Sequence, residues 1–396
     1  MIDNFFESQK EKSKIKSLIV TDFFKAYYPI IENAKLSKEN DEIFYLDLFS
    51  GPGVYDDGNK STPLLLLDIV NNFKKDTIRE RLRIVFNDKN KNYAATLDTY
   101  VKNHPVYSAM KHSPIVTNMQ ASELNLTKYL CQNSPIFSFV DPWGYVDVSA
   151  EQVWGLIRNI GSDCILFFSS DRILQDLNKS HQNEHFQKMF GNYFGEALNI
   201  HASKKTQQQK CESFLKLFSQ NVKDEMNKES YKQFKLYILP FCVSADDKTK
   251  TSHHLVFFTK NHKAIKEMKN VMAKYSNSEN LQMGFDSKVN ELQMYFIRRE
   301  DMVEQDIIAI IKQYYIDNGS EALTNVNVAR IMELLDDDSM QNNHCVLPYT
   351  YNEIKDAIKT LDIKGCIDLI IEGSPRSRKR ITDKQLFNIN DKILRE

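Results

Sequence analysis

The chain has 396 residues, 42% of them hydrophobic, with 52 basic and 53 acidic side chains. That length allows two or three domains with a large core, and the balanced charge excludes a globally basic nucleic-acid binder, so any basic surface must be local. No apolar run reaches the roughly 18 residues of a membrane span and the N-terminus lacks a signal-peptide pattern, so a cytoplasmic protein with no membrane association is expected. The six cysteines (Cys131, Cys164, Cys211, Cys242, Cys345, Cys366) never form C-x-x-C and read as reduced core residues, with no metal site among them.

Taken in chain order, Glu11 to Asn33 carries apolar residues at helical spacing, with Lys10, Lys12, Lys14 and Lys16 on its leading turns. These lysines read as a solvated face, or as cations presented to an anionic substrate if the helix leads into a site. Ile43 to Leu48 is an apolar, β-rich run expected of a parallel strand covered on both faces. Gly51 and Gly53 follow its C-terminal end, where ligands sit in open α/β sheets. Asp47 would accept hydrogen bonds from ligand hydroxyls or an amine, and the glycines would let backbone, with Phe49 beside it, approach that ligand. A surface turn with two glycines is the plain alternative. Ser61-Thr62-Pro63 then opens a helix with a hydroxyl cap and a first-turn proline.

Arg81 to Phe86 reads as a second strand ending in Asn87-Asp88. Asp88 is placed to bind ribose hydroxyls, or to cap the helix that starts near Asn90. Pro114 to Thr117 is a third strand leading to Asn118, where adenine contacts would fall. Ser134 to Gly144 reads S-P-I-F-S-F-V-D-P-W-G, a buried strand ending in Asp141-Pro142-Trp143-Gly144. Methylation of an amino group needs a polar acceptor for the NH₂, a rigid turn offering a carbonyl, and an aromatic wall for a flat base. This turn has all three, and a strand-ending turn with a buried tryptophan is the alternative.

Val148 to Ile160 is expected to be helical and Asp163 to Ser169 a fifth strand. The segment 170–232 reads as a helical insertion or lid, with Phe186, Met189, Phe190, Tyr193 and Phe194 clustered in it. Lys235 to Val243 and His253 to Thr259 read as an antiparallel hairpin at the sheet edge. Adjacent His253 and His254 face opposite sides of such a strand, which argues against metal ligation. A helix follows from Ala264 to about Lys274. After Met302 three amphipathic helices (Ile307 to Tyr315, Asn325 to Leu335, Tyr351 to Lys364) precede two strands (Cys366 to Glu372, Ile381 to Asn388), the order of a winged helix. Arg376, Arg378, Lys379 and Arg380 sit at the tip between those strands, where wing cations contact phosphates; a solvated hairpin tip is the alternative.

Several of these stretches resemble known families. D-x-F-x-G-x-G at Asp47 to Gly53 resembles motif I of S-adenosylmethionine-dependent methyltransferases, and D-P-W-G resembles D/N-P-P-Y of amino-methyltransferases and D-P-F-G of tRNA guanine-N2 dimethyltransferases. Together, Y-L-D-L-F-S-G-P-G-V-Y, S-T-P-L-L-L-L, F-V-D-P-W-G, the late strand H-L-V-F-F-T-K-N and the C-terminal winged helix resemble the three-Cys-motif partner proteins, TcmP. That family usually shows D-G-F-A-G-P-G, G-S-P and D-P-F-G, so Leu48, Ser50, Ser61-Thr62-Pro63 and Trp143 depart mildly from it. The resemblance implies a three-Cys-motif protein as partner, and a mobile-element or phage-defence setting.

The expectation is an α/β chain: a seven-stranded, mainly parallel Rossmann-like methyltransferase domain over residues 1–300 and a winged-helix domain over 301–396. S-adenosylmethionine would lie against Asp47, Phe49, Gly51, Gly53, Asp88 and Asn118. The methyl acceptor, an exocyclic amine of a DNA or RNA base, would be held by Asp141, Pro142, Trp143 and Gly144. A non-catalytic nucleotide- or nucleic-acid-binding adaptor is the second reading. A nuclease using Asp47, Asp56, Asp57, Asp88 and Asp141 around magnesium is the third.

Overall fold

The computed structural model describes residues 11–34, 42–123, 133–145, 148–179, 183–229, 234–244, 251–276, 284–285, 299–319, 324, 326–370, 381–390 and 392–393. They fall into two compact units. Residues up to 285 belong to the first and those from 299 to the second.

The first unit is built on one sheet. Its strands are β1 (Ile43–Asp47), β2 (Leu82–Asn87), β3 (Ile115–Thr117), β4 (Ile136–Val140), β5 (Asp163–Phe168), β6 (Tyr237–Ser244), β7 (Thr251–Thr259) and β8 (Gly284–Phe285). They lie in the order β3-β2-β1-β4-β5-β7-β6-β8. β3, β2, β1, β4 and β5 are mutually parallel, while β7 runs antiparallel to both β5 and β6. The hairpin does not end the sheet, because two residues of β8 pair in parallel with β6, a strand the sequence reading did not expect. Chain order reverses between β2 on one side of β1 and β4 on the other, which opens a crevice at the strand ends.

Every residue of β1 and β4 is buried, as the unbroken apolar runs required. Neighbouring Phe257 and Phe258 show how both faces are covered. Phe257 meets Phe23 of the Glu11–Ala34 helix at 4.8 Å between ring centroids, and Phe258 meets Phe218 of the Gln207–Lys228 helix at 6.2 Å. Asp22 ties the N-terminal helix to the His262–Tyr275 helix, accepting from Lys274 Nζ and Tyr275 Oη at 2.5 Å each. Phe186, Met189 and Phe190 are fully buried, and Phe186 stacks on Tyr145 at 4.6 Å, so this part of the aromatic cluster packs as core.

Some local expectations need correction. Ser61 stands at the N-cap of the Thr62–Asn72 helix but makes no capping bond; its N–H is drawn onto Gly53 O at 2.8 Å and its hydroxyl is buried without a partner. The helix after β2 is capped by Asn90, which accepts from the N–H groups of Asn92 and Tyr93, rather than by Asp88.

In the second unit a helix (Arg299–Asn318), a short strand β9 (Val326–Asn327), two further helices (Val328–Asn342 and Tyr351–Ile363) and two strands, β10 (Ile367–Leu369) and β11 (Leu386–Ile389), succeed one another. The sheet order is β10-β11-β9, antiparallel throughout. Val303, Ile307, Ile331, Ile354, Ile358 and Phe387 form its core. A capping box between Thr350 and Glu353 starts the third helix.

Phe137 is the hub of the first core, touching the rings of Phe23, Phe24, Tyr27 and Tyr45. Phe137→Ala should therefore lower unfolding free energy by about 3–5 kcal/mol in urea titration, and a loss below about 1 kcal/mol would deny that this cluster anchors the sheet.

Candidate active site

Asp47 closes β1 with 1% of its surface exposed. Phe49 N donates to its Oδ1 at 3.2 Å. Burial, reinforced by the nearby charges of Asp141 and Asp88, raises its carboxyl from 3.8 to about 8. The chain then turns through Gly51 (φ 65°) and Gly53 (φ 90°), both in the left-handed region. A Cβ on Gly53 would also stand 2.8 Å from Leu97 Cδ1 and displace that side chain, but the positive φ is what favours glycine there.

Asp88, half-buried, reaches across from the end of β2. Its Oδ2 accepts from Gly51 N at 2.9 Å and its Oδ1 from Asn90 N at 2.7 Å. Burial raises this carboxyl too. Each oxygen keeps a further lone pair for a ligand hydroxyl. Asn118 donates through Nδ2 to Asp88 O at 2.8 Å, bringing the turn after β3 against the end of β2.

Sequence reasoning missed the residue that fastens these turns. Asn87 is 1% exposed; its amide donates to Leu48 O and Met119 O and accepts from Thr117 Oγ1 and Met119 N. One side chain thus ties together the loops after β1, β2 and β3. An asparagine closing an otherwise apolar strand was the signal available.

The D-P-W-G turn leaves β4 next to β1, where Leu48 N bonds Phe139 O at 3.1 Å. Pro142 is buried, Gly144 turns at φ 97°, and Trp143 is 49% exposed rather than buried. The Arg172 guanidinium lies 5.9 Å from the Trp143 ring centroid. Asp141 Oδ2 accepts from Lys16 Nζ, whose ammonium lies 4.6 Å from the Phe167 ring centroid. Lys16, expected on a solvated face or as a cation presented to an anionic substrate, is instead paired with Asp141. Tyr55, 7% exposed, has its hydroxyl pushed up to about 12 by burial and by the Asp141 charge.

The structure thus gathers Asp47, Phe49, Gly51, Gly53, Asp88, Asn118 and the Asp141–Gly144 turn at one edge of one sheet, from four strand ends. Arg376, Arg378, Lys379 and Arg380 lie outside the described residues. His254 is buried against Ser170 Oγ at 3.0 Å with its imidazole pushed down to about 4 by burial, and His253 packs on Phe167 at 4.1 Å. Among the described residues no cluster of three or more His, Cys, Asp or Glu side chains could hold a metal, so the nuclease reading gains no donor set. Among them, too, no helix is long and apolar enough to cross a membrane.

The strands β3-β2-β1-β4-β5, the antiparallel β7 beside β5 and the acid-and-glycine edge define a Rossmann-like methyltransferase fold. No protein-family model matches the chain, and no curated protein matches it. Among solved structures it is similar to Trm1 from Pyrococcus horikoshii in complex with S-adenosyl-L-methionine (9% identity, 98% of this chain and 93% of that one, TM-score 0.34). It is also similar to a putative S-adenosyl-L-methionine-dependent methyltransferase from Methanococcus maripaludis (16% identity, 64% and 96%, TM-score 0.28). A third is protein LPL1258 from Legionella pneumophila, of the family DUF519 (11% identity, 68% and 91%, TM-score 0.35).

Asp47 gives this edge a measurable pH signature. Its folded value is raised above the unfolded one, so the native state holds a proton that the unfolded chain releases, and its contribution to stability falls as pH rises from 3.8 to about 8. Asp47→Asn removes that loss. Thermal unfolding of the two proteins should show the variant gaining on the parent between about pH 5 and pH 8, and a constant difference would show that Asp47 is not desolvated.

Proposed function

We propose that the chain is an S-adenosylmethionine-dependent methyltransferase acting on an exocyclic amine of a nucleic-acid base. The observation that carries the reading is the pairing of β1 with β4, which sets the D-P-W-G turn, with its carboxylate and half-exposed indole, beside the acid-and-glycine turn that leaves β1.

The residues fit the adenosyl group. Asp88 offers lone pairs to hydroxyls, Asn118 closes the adenine side, the Gly51–Gly53 turn allows close backbone approach, and buried Asp47 gains from a cationic or hydrogen-donating ligand. When bound, S-adenosylmethionine supplies an activated methyl group on a sulfonium. The chain's own part is placement. Asp141 accepts a hydrogen bond from the acceptor amine, and Trp143 offers its exposed ring to the base. In-line geometry and polarisation of the amine account for most of the acceleration, with little acid–base chemistry required. A base within a duplex has to be flipped out or already unpaired to reach this turn.

The C-terminal unit is read as a winged helix holding the flanking backbone through Arg376, Arg378, Lys379 and Arg380. Resemblance to the three-Cys-motif partner proteins supports a three-Cys-motif protein as companion and a phage-defence or mobile-element setting. One observation favours the adaptor reading: Asp141 is already engaged by Lys16, as expected if the turn is held for binding alone.

Calorimetric titration with S-adenosylmethionine separates the readings. An enzyme binds it with micromolar affinity, loses binding in Asp47→Ala, and keeps binding but loses methyl transfer in Asp141→Ala; no binding to the folded protein would overturn the reading. Trp154 is 2% exposed, so in a Trp154→Phe background the remaining Trp143 reports the acceptor site alone. A stacked base should quench it, while unchanged emission at saturating oligonucleotide would remove Trp143 from the site. Charge reversal at Arg376, Arg378, Lys379 and Arg380 should weaken nucleic-acid binding and flatten its salt dependence; equal binding would remove the wing.

A further inference from the structure

The acceptor carboxylate has an internal partner that the methyltransferase reading does not account for. Lys16 Nζ bonds Asp141 Oδ2 with only 12% of the lysine side chain exposed, and the same ammonium rests over the Phe167 ring. Its backbone is fixed. Ile15 and Ile19 on either side are buried, Ser17 Oγ lies 2.9 Å from Thr62 Oγ1, and Phe23 is locked between β4 and β7 through Phe137 and Phe257. The lysine is thus delivered to Asp141 by a packed helix.

Two consequences follow from this geometry. Oδ2 is committed to Lys16, whereas Oδ1 has no hydrogen-bond partner among the described residues, so the pair orients the carboxylate with one oxygen left for a ligand N–H. The charge at this point is also already balanced. Asp47 keeps its proton up to about pH 8 and Asp88 has the charge of Lys89 beside it, so neither adds an unbalanced negative charge at the Asp141 position. A second ammonium brought to Asp141 would meet Lys16 as a like charge, while a neutral amine meets an oriented acceptor and no net charge.

We propose that Lys16 is a positioning and specificity-determining residue that makes the Asp141 position select an uncharged aromatic amine, such as the exocyclic NH₂ of a base, over an alkylammonium group. This rests on the methyltransferase reading and narrows its acceptor class. Trp143, half-exposed on the same turn, offers a flat acceptor an apolar wall, which an alkyl chain would use less fully.

The test is calorimetric titration of the full chain, saturated with S-adenosylhomocysteine, with cytidine, adenosine and guanosine and separately with butylammonium. The parent protein should bind one of the nucleosides in preference to butylammonium. Lys16→Met keeps the stem over Phe167 and removes the charge; it should bind butylammonium about tenfold more tightly and the nucleoside several-fold more weakly. Lys16→Arg, which restores the charge, should return the parent's preference. A purely structural role would lower both affinities together, and Lys16→Gln serves if the methionine variant fails to fold. Parallel changes, no change, or a parent protein preferring butylammonium would overturn the proposal while cofactor binding stood. A parent protein that binds neither S-adenosylhomocysteine nor any nucleoside would overturn the methyltransferase reading, and this inference with it.

Discussion

Asp47 ends a fully buried strand, and the carboxyl it carries is far costlier to ionise there than in water. A pocket floored by such a group gains most from a ligand that donates hydrogen bonds or carries positive charge. The surrounding architecture serves to hold it in that condition. Parallel strands on both sides deny it solvent, the Phe49 N–H is drawn onto its Oδ1, and Asp88 uses one of its oxygens to fix Gly51 in the turn. The edge is therefore poised for a ligand at some expense to the stability of the empty protein, a common feature of binding sites.

Asn87 has the complementary role. A buried amide with four partners across three loops is a fully satisfied polar network, and such networks specify one arrangement because any other leaves groups unpaired. The turn after β4 has no such clamp. Its order comes from a buried proline, from Tyr145 packed on Phe186 with its hydroxyl 3.0 Å from Asp176 Oδ2, and from Lys16. The edge around Asp47 and Asp88 is thus built from local strand-end chemistry, and the turn after β4 is completed by parts brought from elsewhere in the chain.

That difference explains how much could be read from the amino acids alone. β1, β2, β4 and β5 were visible as apolar runs bounded by polar turns, and Asp47, Asp88 and Asp141 stood out as acids at or just after the ends of such runs. Lys16 could be named only as one of four lysines on the leading turns of an amphipathic helix; tertiary packing singles it out and turns it toward a partner 125 residues away. Arg172 was hidden similarly. β8 has only two residues and no periodicity to detect. Ser61 follows a familiar capping pattern and does stand at the N-cap, but its hydroxyl makes no capping bond, which its position in the chain could not reveal.

The contact of Phe23 with Phe257 also sets an order of assembly during synthesis. The helix that carries Lys16 leaves the ribosome before the strands of the sheet, yet part of its docking surface, β7, lies more than two hundred residues further along, and Asp22 waits longer still for Lys274 and Tyr275. Contacts of such sequence separation close late, after the intervening chain has been ordered. The strands that frame Asp47 and Asp88 can pair while translation continues, but Lys16 can be seated firmly on Asp141 only when the hairpin has emerged. A nascent chain would then present the Asp47–Asp88 edge before the turn at Asp141 is fully braced, and a truncated product ending short of β7 would remain in that half-built state.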